Sequence, residues 1–312
     1  MTRRRPLLLA ALSAPVWLSP AAQAQQRKSL ADPLRLGVDG ALVESGLARA
    51  LVRAFGRDTG IAVQLVPGPA LPLLDALERG ELDAALTNAP DTELKLAQQG
   101  LAHDRRAVAM AALVLVGPAP KGKPADPAGV AGSRNIAEAL QRVAAALAAL
   151  TAPPASGAPA APAATTVATA TSAAKSPTPT AAPTSPPAPM QFLSAADGSG
   201  AHVAEQALWR AAKVAPVSPW YAAADKGATL ASQARTRGAY ALVERGSWAV
   251  HGGAPLAVLV EGDPSLELPV HVMRSFRINH PAAKIFIGWI TGPKGARVVA
   301  AQRGYRAPKR ST

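Results

Sequence analysis

The stretch LRLGVDGALVESGLARALVRAFGRDTGIAVQLV, residues 34–66, decides the fold class. LRLGV reads as a strand. SGLARALVRAFGRDTG reads as a helix, with Ser45 as a possible cap and Gly60 at its end. IAVQLV reads as a second strand. Moving outward, ALPLLDALERG is a helix, LDAALTN a strand, DTELKLAQQG a helix capped by Asp91, and AVAMAALVLVGP a long buried strand. Strands and helices that alternate through short loops predict an α/β fold with a largely parallel sheet.

After Gly117 the pattern restarts with a helix, NIAEALQRVAAALAAL. Residues 151–189 then change character: they are almost wholly Ala, Pro, Thr and Ser, with Lys175 as the single charge. Such a segment cannot bury a core, and a disordered insertion is expected there. Beyond it come MQFLSA as a strand, HVAEQALWRAAK and KGATLASQARTRG as helices, and AYALVERGSW as a strand. LAVLVEG and PVHVMRSF are strands leading back, and HPAAKIFIGWITGPKGARVVAAQ closes as helix, turn, helix. This order suggests two α/β lobes, one formed by 33–115 and 255–312, the other by 117–253 with the insertion inside it.

Composition narrows the setting. Arg3-Arg4-Arg5, the apolar run LLLAALSAPVWL and Ala22-Gln23-Ala24 have the form of a signal peptide, residues 1–24, cleaved after Ala24. Export to the periplasm is therefore expected. Loss of that segment takes the formal charge from +13 to +10, because it holds three arginines and no acid. With no cysteine there is neither a disulfide nor a site for lipoprotein-type attachment. The basic residues are scattered, with few aromatics between them, so a solvated basic surface is expected and a nucleic-acid partner is not.

Several motifs fail on their chemistry. GPAPKGK, residues 117–123, has the spacing of a phosphate-binding loop, but Pro124 stands where a hydroxyl must hold magnesium, and Pro118 and Pro120 remove amide donors. The five histidines show no ligand spacing, and no G-x-S-x-G elbow occurs. No metal, cofactor or catalytic residue is expected, and nothing in the sequence argues for an enzyme. One segment does suggest a ligand. SAADGSGAH, residues 194–202, runs from a strand into a helix, and such a turn aims backbone N–H groups where the helix dipole favours an anion. It contains no Lys or Arg and one Asp.

Taken in order, the motifs of 34–302 resemble the periplasmic tungstate-type solute-binding proteins of ABC importers. The likeness is carried by LRL with SGLARALVRAFGRDTGIAVQ, ELDAALTNAP, the DRR before AVAMAALVLVGP, SAADGSGAH with ALWRAA, GAYALVERGSW, LVEGDP and AAKIFIGWITGPKG. It implies a type II periplasmic-binding-protein architecture with an interlobe cleft, a tetrahedral oxyanion as ligand, an ABC permease in the inner membrane as partner, and a monomer. The candidate ligand residues it points to are Asp39, Gly40, Ala41 and Ser45, with Ser199, Gly200, Ala201 and Thr229.

The departures from the family pattern are chemical. Where the family has a Thr-Thr-Thr-Ser run, this chain has Val38, Asp39, Gly40 and Ala41. Ala195 replaces the arginine of the second-lobe motif, Ala201 its threonine, and Ala111-Ala112 an Asn-Asp pair. A carboxylate ~4 Å from an anion repels it by about 4 kcal/mol at an effective dielectric of 20. A lost arginine contact adds roughly 1.5–3 kcal/mol. Together these predict a loss of oxyanion affinity of roughly a thousandfold or more, unless Arg105 or Arg106 restores the charge. Altered specificity or weak binding is one expectation. The alternative is a binding-protein scaffold acting as a sensor or interaction module. Asp197 and His202 read as turn and helix-start residues, and Trp209, Trp220, Trp248 and Trp289 as packing.

Overall fold

The computed structural model describes residues 29–122, 125–151 and 190–308. Residues 1–24, expected to be a signal peptide, and the expected insertion beyond Thr151 lie outside the described residues. The elements run β1 (Leu34–Asp39), α1 (Gly40–Glu44), α2 (Leu47–Thr59), β2 (Val63–Gly68), α3 (Ala70–Arg79), β3 (Ala84–Thr87), α4 (Pro90–Gln98) and β4 (Ala102–Pro118). There follow α5 (Ile136–Thr151), β5 (Phe192–Ser194), α6 (Gly200–Ala211), β6 (Tyr221–Ala223), α7 (Leu230–Arg237), β7 (Ala241–Glu244) and α8 (Arg245–His251). The chain ends with β8 (Leu256–Val260), β9 (Glu267–Ser275), α9 (Pro281–Ile290) and α10 (Pro293–Ala300). They divide into two compact units. Unit 1 comprises residues up to 110 with 269–302 and the tail from 306; unit 2 comprises 111–268 with 303–305. Residues 255–268 belong to unit 2 because β8 pairs with β4 from Leu115↔Val260 to Pro118↔Leu256.

In unit 1, β1 lies between β2 and β3, parallel to both, with Leu36 opposite Leu65 and Ala84. β3 then pairs antiparallel with β9, and β4 follows β9 in the sheet. Leu36, Val38, Leu86 and Val272 are buried because helices cover the sheet. Leu73, Leu74 and Leu77 of α3 pack with Leu82, Leu96 and Met273. Phe55 of α2 meets Phe286 and Trp289 of α9 edge-on, at centroid distances of 5.0 and 5.5 Å. In unit 2, β7 and β8 pair antiparallel with β4, and β5 pairs parallel with β6. Val114, Val116, Leu193, Val243 and Leu256 form its core with Ala231 and Ala234 of α7.

Four local expectations need correction. The sheet is mixed, not largely parallel: helix crossovers hold β1, β2 and β3 parallel, whereas β9 arrives without one and runs the other way. Ser45 does not cap α2. It ends α1, donating from Oγ to the Leu42 carbonyl at 3.2 Å, and Gly46, at φ 85°, starts α2. Asp91 does not cap α4 either, because Pro90 takes the first helical position and Ala89 the cap. AYALVERGSW is strand only to Glu244, after which α8 begins.

The turn joining α9 to α10 depends on a close approach. A Cβ on Gly295 would stand 2.1 Å from the Ile290 carbonyl oxygen, a backbone atom that cannot swing away, while a Cβ on Gly288 of α9 would meet nothing within 4 Å. Gly295→Ala is expected to lower unfolding stability by roughly 1–3 kcal/mol, and Gly288→Ala to raise it by roughly 0.5–1 kcal/mol. Guanidinium unfolding midpoints of the two variants check this; equal effects would show that the turn relaxes around a methyl group.

Candidate functional site

In unit 1 the parallel strands β1 and β3 end side by side, the place where α/β sheets present ligand-binding groups. Asp39, fully buried, closes β1 and caps α1, its Oδ1 accepting the Ala41 N–H at 3.1 Å. Gly40 and Ala41 are the first residues of α1. Ser45 lies at the far end of that helix, and its hydroxyl proton is committed to Leu42.

Buried Thr87 ends β3 and buried Asn88 follows it, and Thr87 is tied to a carboxylate that sequence reading passed over. Glu93 of α4, also fully buried, accepts through Oε1 from the Thr87 hydroxyl at 2.8 Å and the Ala89 N–H at 2.9 Å. Its Oε2 meets the Arg105 guanidinium at 3.2 Å and His271 Nδ1 at 2.7 Å. Arg105 also donates to the Pro90 carbonyl at 3.3 Å. Its guanidinium is thus already engaged by Glu93 and the Pro90 carbonyl. Withdrawing it would leave Glu93 buried beside fewer positive charges, a change that costs several kcal/mol in comparable settings. Arg106 is exposed.

In unit 2, β5 delivers buried Ser194 into the loop of residues 195–199, where Ala196 (φ 49°) and Gly198 (φ 80°) take left-handed backbone. The glycine that uses this freedom is Gly198. The loop closes on its own donors. The Gly198 N–H donates to His202 Nδ1 at 3.0 Å, the Ser199 N–H to Asp197 Oδ1 at 2.9 Å, and the His202 N–H to Ser199 Oγ at 3.3 Å. Three amides expected to face an anion are thereby satisfied internally. Gly200 and Ala201 form the first turn of α6.

Thr229 caps α7, accepting the Ser232 N–H at 3.2 Å. Gln233 holds that entrance in shape, bridging Asp225 N–H and carbonyl at 2.8 and 2.7 Å and the Ala228 carbonyl at 2.9 Å. A capping hydroxyl spends a lone pair and keeps its proton for donation. Ser199 and Thr229 can therefore offer hydroxyl donors, while Asp39 offers only acceptors. The eight candidate residues fall into three groups, around α1, at the start of α6 and at the start of α7.

Beneath the unit 2 loop sits Glu205, one turn further along α6 and almost wholly buried among Phe192, Trp209 and Tyr221. Tyr221 donates its hydroxyl to Glu205 Oε1 at 2.6 Å, and Gln206 donates to the same tyrosine oxygen at 2.8 Å. Burial pushes the Glu205 carboxyl from 4.5 up to about 7; hydrogen bonds from Tyr221 and Ser194 offset part of the rise, and the charge of Asp197 adds to it. Burial likewise pushes the Tyr221 phenol up to about 12.

The sign follows from linkage. Between pH 4.5 and 7 the unfolded chain releases this proton while the folded chain keeps it. Stability is therefore lost as pH rises through that window, by on the order of 3 kcal/mol. Glu205→Gln is expected to remove this component and to exceed the parent in thermal midpoint at pH 8. Parallel pH series of thermal midpoints for parent and variant would expose a Glu205 that ionises normally, as two curves of the same slope.

The profile of the PBP superfamily domain matches residues 21–292. A putative ABC transporter anion-binding protein of Haloferax volcanii is 26% identical over 280 residues, 86% of this chain and 68% of that one. Tungstate-binding protein TupA of Peptoclostridium acidaminophilum is 24% identical over 276 residues, 85% of this chain and 80% of that one. Among solved structures, the tungstate ABC transporter protein of Geobacter sulfurreducens is similar with a TM-score of 0.64 and 25% identity, covering 86% of this chain and 98% of its own. The profile match, over most of the chain, places it in the PBP superfamily.

Proposed function

We propose that this chain is an extracytoplasmic solute-binding protein of an ABC importer whose ligand is not a tightly held tetrahedral oxyanion. The names of its relatives in Haloferax volcanii and Peptoclostridium acidaminophilum support the transport role. Asp39 carries the second half of the reading. Its buried carboxylate stands at the end of β1, where hydroxyl donors are expected in a tungstate binder. Three amides of the α6 loop are already engaged within the loop, and Arg105 is held by Glu93. Asp39, Gly40 and Ala41 in unit 1, with Ser199, Gly200, Ala201 and Thr229 in unit 2, are the proposed ligand contacts. Their chemistry, one carboxylate with hydroxyl donors, suits an amine or a neutral polar solute better than a dianion.

A thermal-shift screen with tungstate, molybdate, phosphate, sulfate and common amines tests the ligand class. A ligand present at a hundredfold excess over Kd stabilises the fold by about 2.7 kcal/mol. Calorimetry then compares the parent with a variant carrying Val38→Thr, Asp39→Thr, Gly40→Thr, Ala41→Ser and Ala195→Arg. Threonine can take over the cap at position 39. The variant is expected to gain tungstate affinity by roughly a hundredfold or more, from restored charge and hydroxyl contacts. Submicromolar binding of tungstate by the parent would refute the specificity reading. A folded variant that still ignores tungstate would favour a scaffold with a sensing or docking role.

A further inference from the structure

Helices α2, α9 and α10 of unit 1 pack on one another. Together they carry six cations, Arg49, Arg53, Arg57, Lys284, Lys294 and Arg297, all exposed, against one acid of their own, Asp58, with Asp104 of β4 close enough to Lys284 to feel its charge. Asp58 is engaged: its carboxylate accepts the Trp289 indole N–H at 2.8 Å and pairs with Lys294 at 3.1 Å. The three arginines of α2 recur every fourth residue and so form one stripe about 12 Å long. The stripe lies opposite the buried Leu51, Ala54 and Phe55.

The neighbouring helix adds apolar groups. Ile285 of α9 is 41% exposed, and Trp289, one turn on, is half-buried with its indole reaching the surface acid. Exposed cations on three packed helices, with an exposed aliphatic side chain on one of them, match the chemistry of an anionic bilayer surface, whose headgroups attract Lys and Arg.

We propose that the α2–α9–α10 face is a docking surface for anionic phospholipid headgroups. The test uses protein purified from the periplasm of an expressing host, sedimented with vesicles of phosphatidylglycerol and phosphatidylcholine or of phosphatidylcholine alone. The expected result is binding to the anionic vesicles only, weakened at least roughly tenfold between 50 and 300 mM salt. The variant Arg49→Glu, Arg53→Glu, Arg57→Glu should lose at least about tenfold in affinity. A control of equal net charge, Arg142→Glu, Arg210→Glu, Arg235→Glu, reverses exposed arginines of α5, α6 and α7 and should bind as the parent does. Circular dichroism shows whether each variant is folded, and the milder triple Arg→Gln exchange on α2 replaces the first variant if it is not.

Equal loss in both reversal variants would overturn the face assignment in favour of diffuse net charge. Equal binding to both vesicle types would overturn the role of headgroup charge. Retention on polyglutamate without affinity for either vesicle would assign the face to an acidic protein segment and overturn the lipid proposal.

Discussion

Glu93 is the interaction on which the strand-end surface of unit 1 depends. Its carboxylate joins four elements: Thr87 at the end of β3, the Ala89 amide at the start of α4, Arg105 of β4 and His271 of β9. A carboxylate taken wholly out of water is costly unless each lone pair finds a donor, and here all four groups converge within hydrogen-bond or ion-pair reach. Convergence fixes more than Glu93 itself: it ties the end of β3, the start of α4 and the direction of Arg105 together, beside the adjacent strand that Asp39 closes. The charge pattern of the surface then follows from satisfying a buried acid before any ligand is considered.

Much of the fold was legible because it is written in short-range signals. Gly60 and Gly80 end α2 and α3 in left-handed backbone, and Ser199 and Thr229 cap α6 and α7 through their own hydroxyls, each within three residues of the element it bounds. The misreadings come from competition among equally local signals. VESG offers both an end for α1 and a cap for α2: Gly46 takes the cap position, and Ser45, one residue earlier, donates to the Leu42 carbonyl while its Oγ accepts the Leu47 N–H at 3.5 Å. AYALVERGSW holds enough apolar residues for a strand throughout, but Gly246 and the switch in spacing let α8 start at Arg245.

The candidate site was legible only in part, for a different reason. Asp39 and the loop at 194–202 announce themselves by sequence order. Glu93, Gln233 and Glu205 do not. Glu93 sits in a polar helical stretch that looks solvated, yet its partner His271 lies far along the chain. Glu205 occupies an ordinary helix position, and only the aromatic cluster of Phe192, Trp209 and Tyr221 makes it a buried acid. A pattern of residue types cannot tell a solvated carboxylate from a buried one when its partners come from other elements. The same limit holds for charge: the total is plain in the composition, its collection on three packed helices is not.

These observations separate what the fold requires from what a ligand would require. At position 39 the fold needs an oxygen that can accept the Ala41 N–H, and Asp, Ser and Thr all meet that need within a few tenths of a kcal/mol to about 1 kcal/mol of one another. A ligand distinguishes them far more sharply, because only the hydroxyl residues can donate and only aspartate carries charge. The α6 loop shows the same latitude. Its amides find acceptors in His202, Asp197 and Ser199, so the turn needs no ligand to satisfy them. A scaffold that stabilises its strand ends and helix starts internally leaves the residues facing a ligand free to change charge. In such a scaffold the identity of the cap, not the shape of the fold, determines which solute can be held.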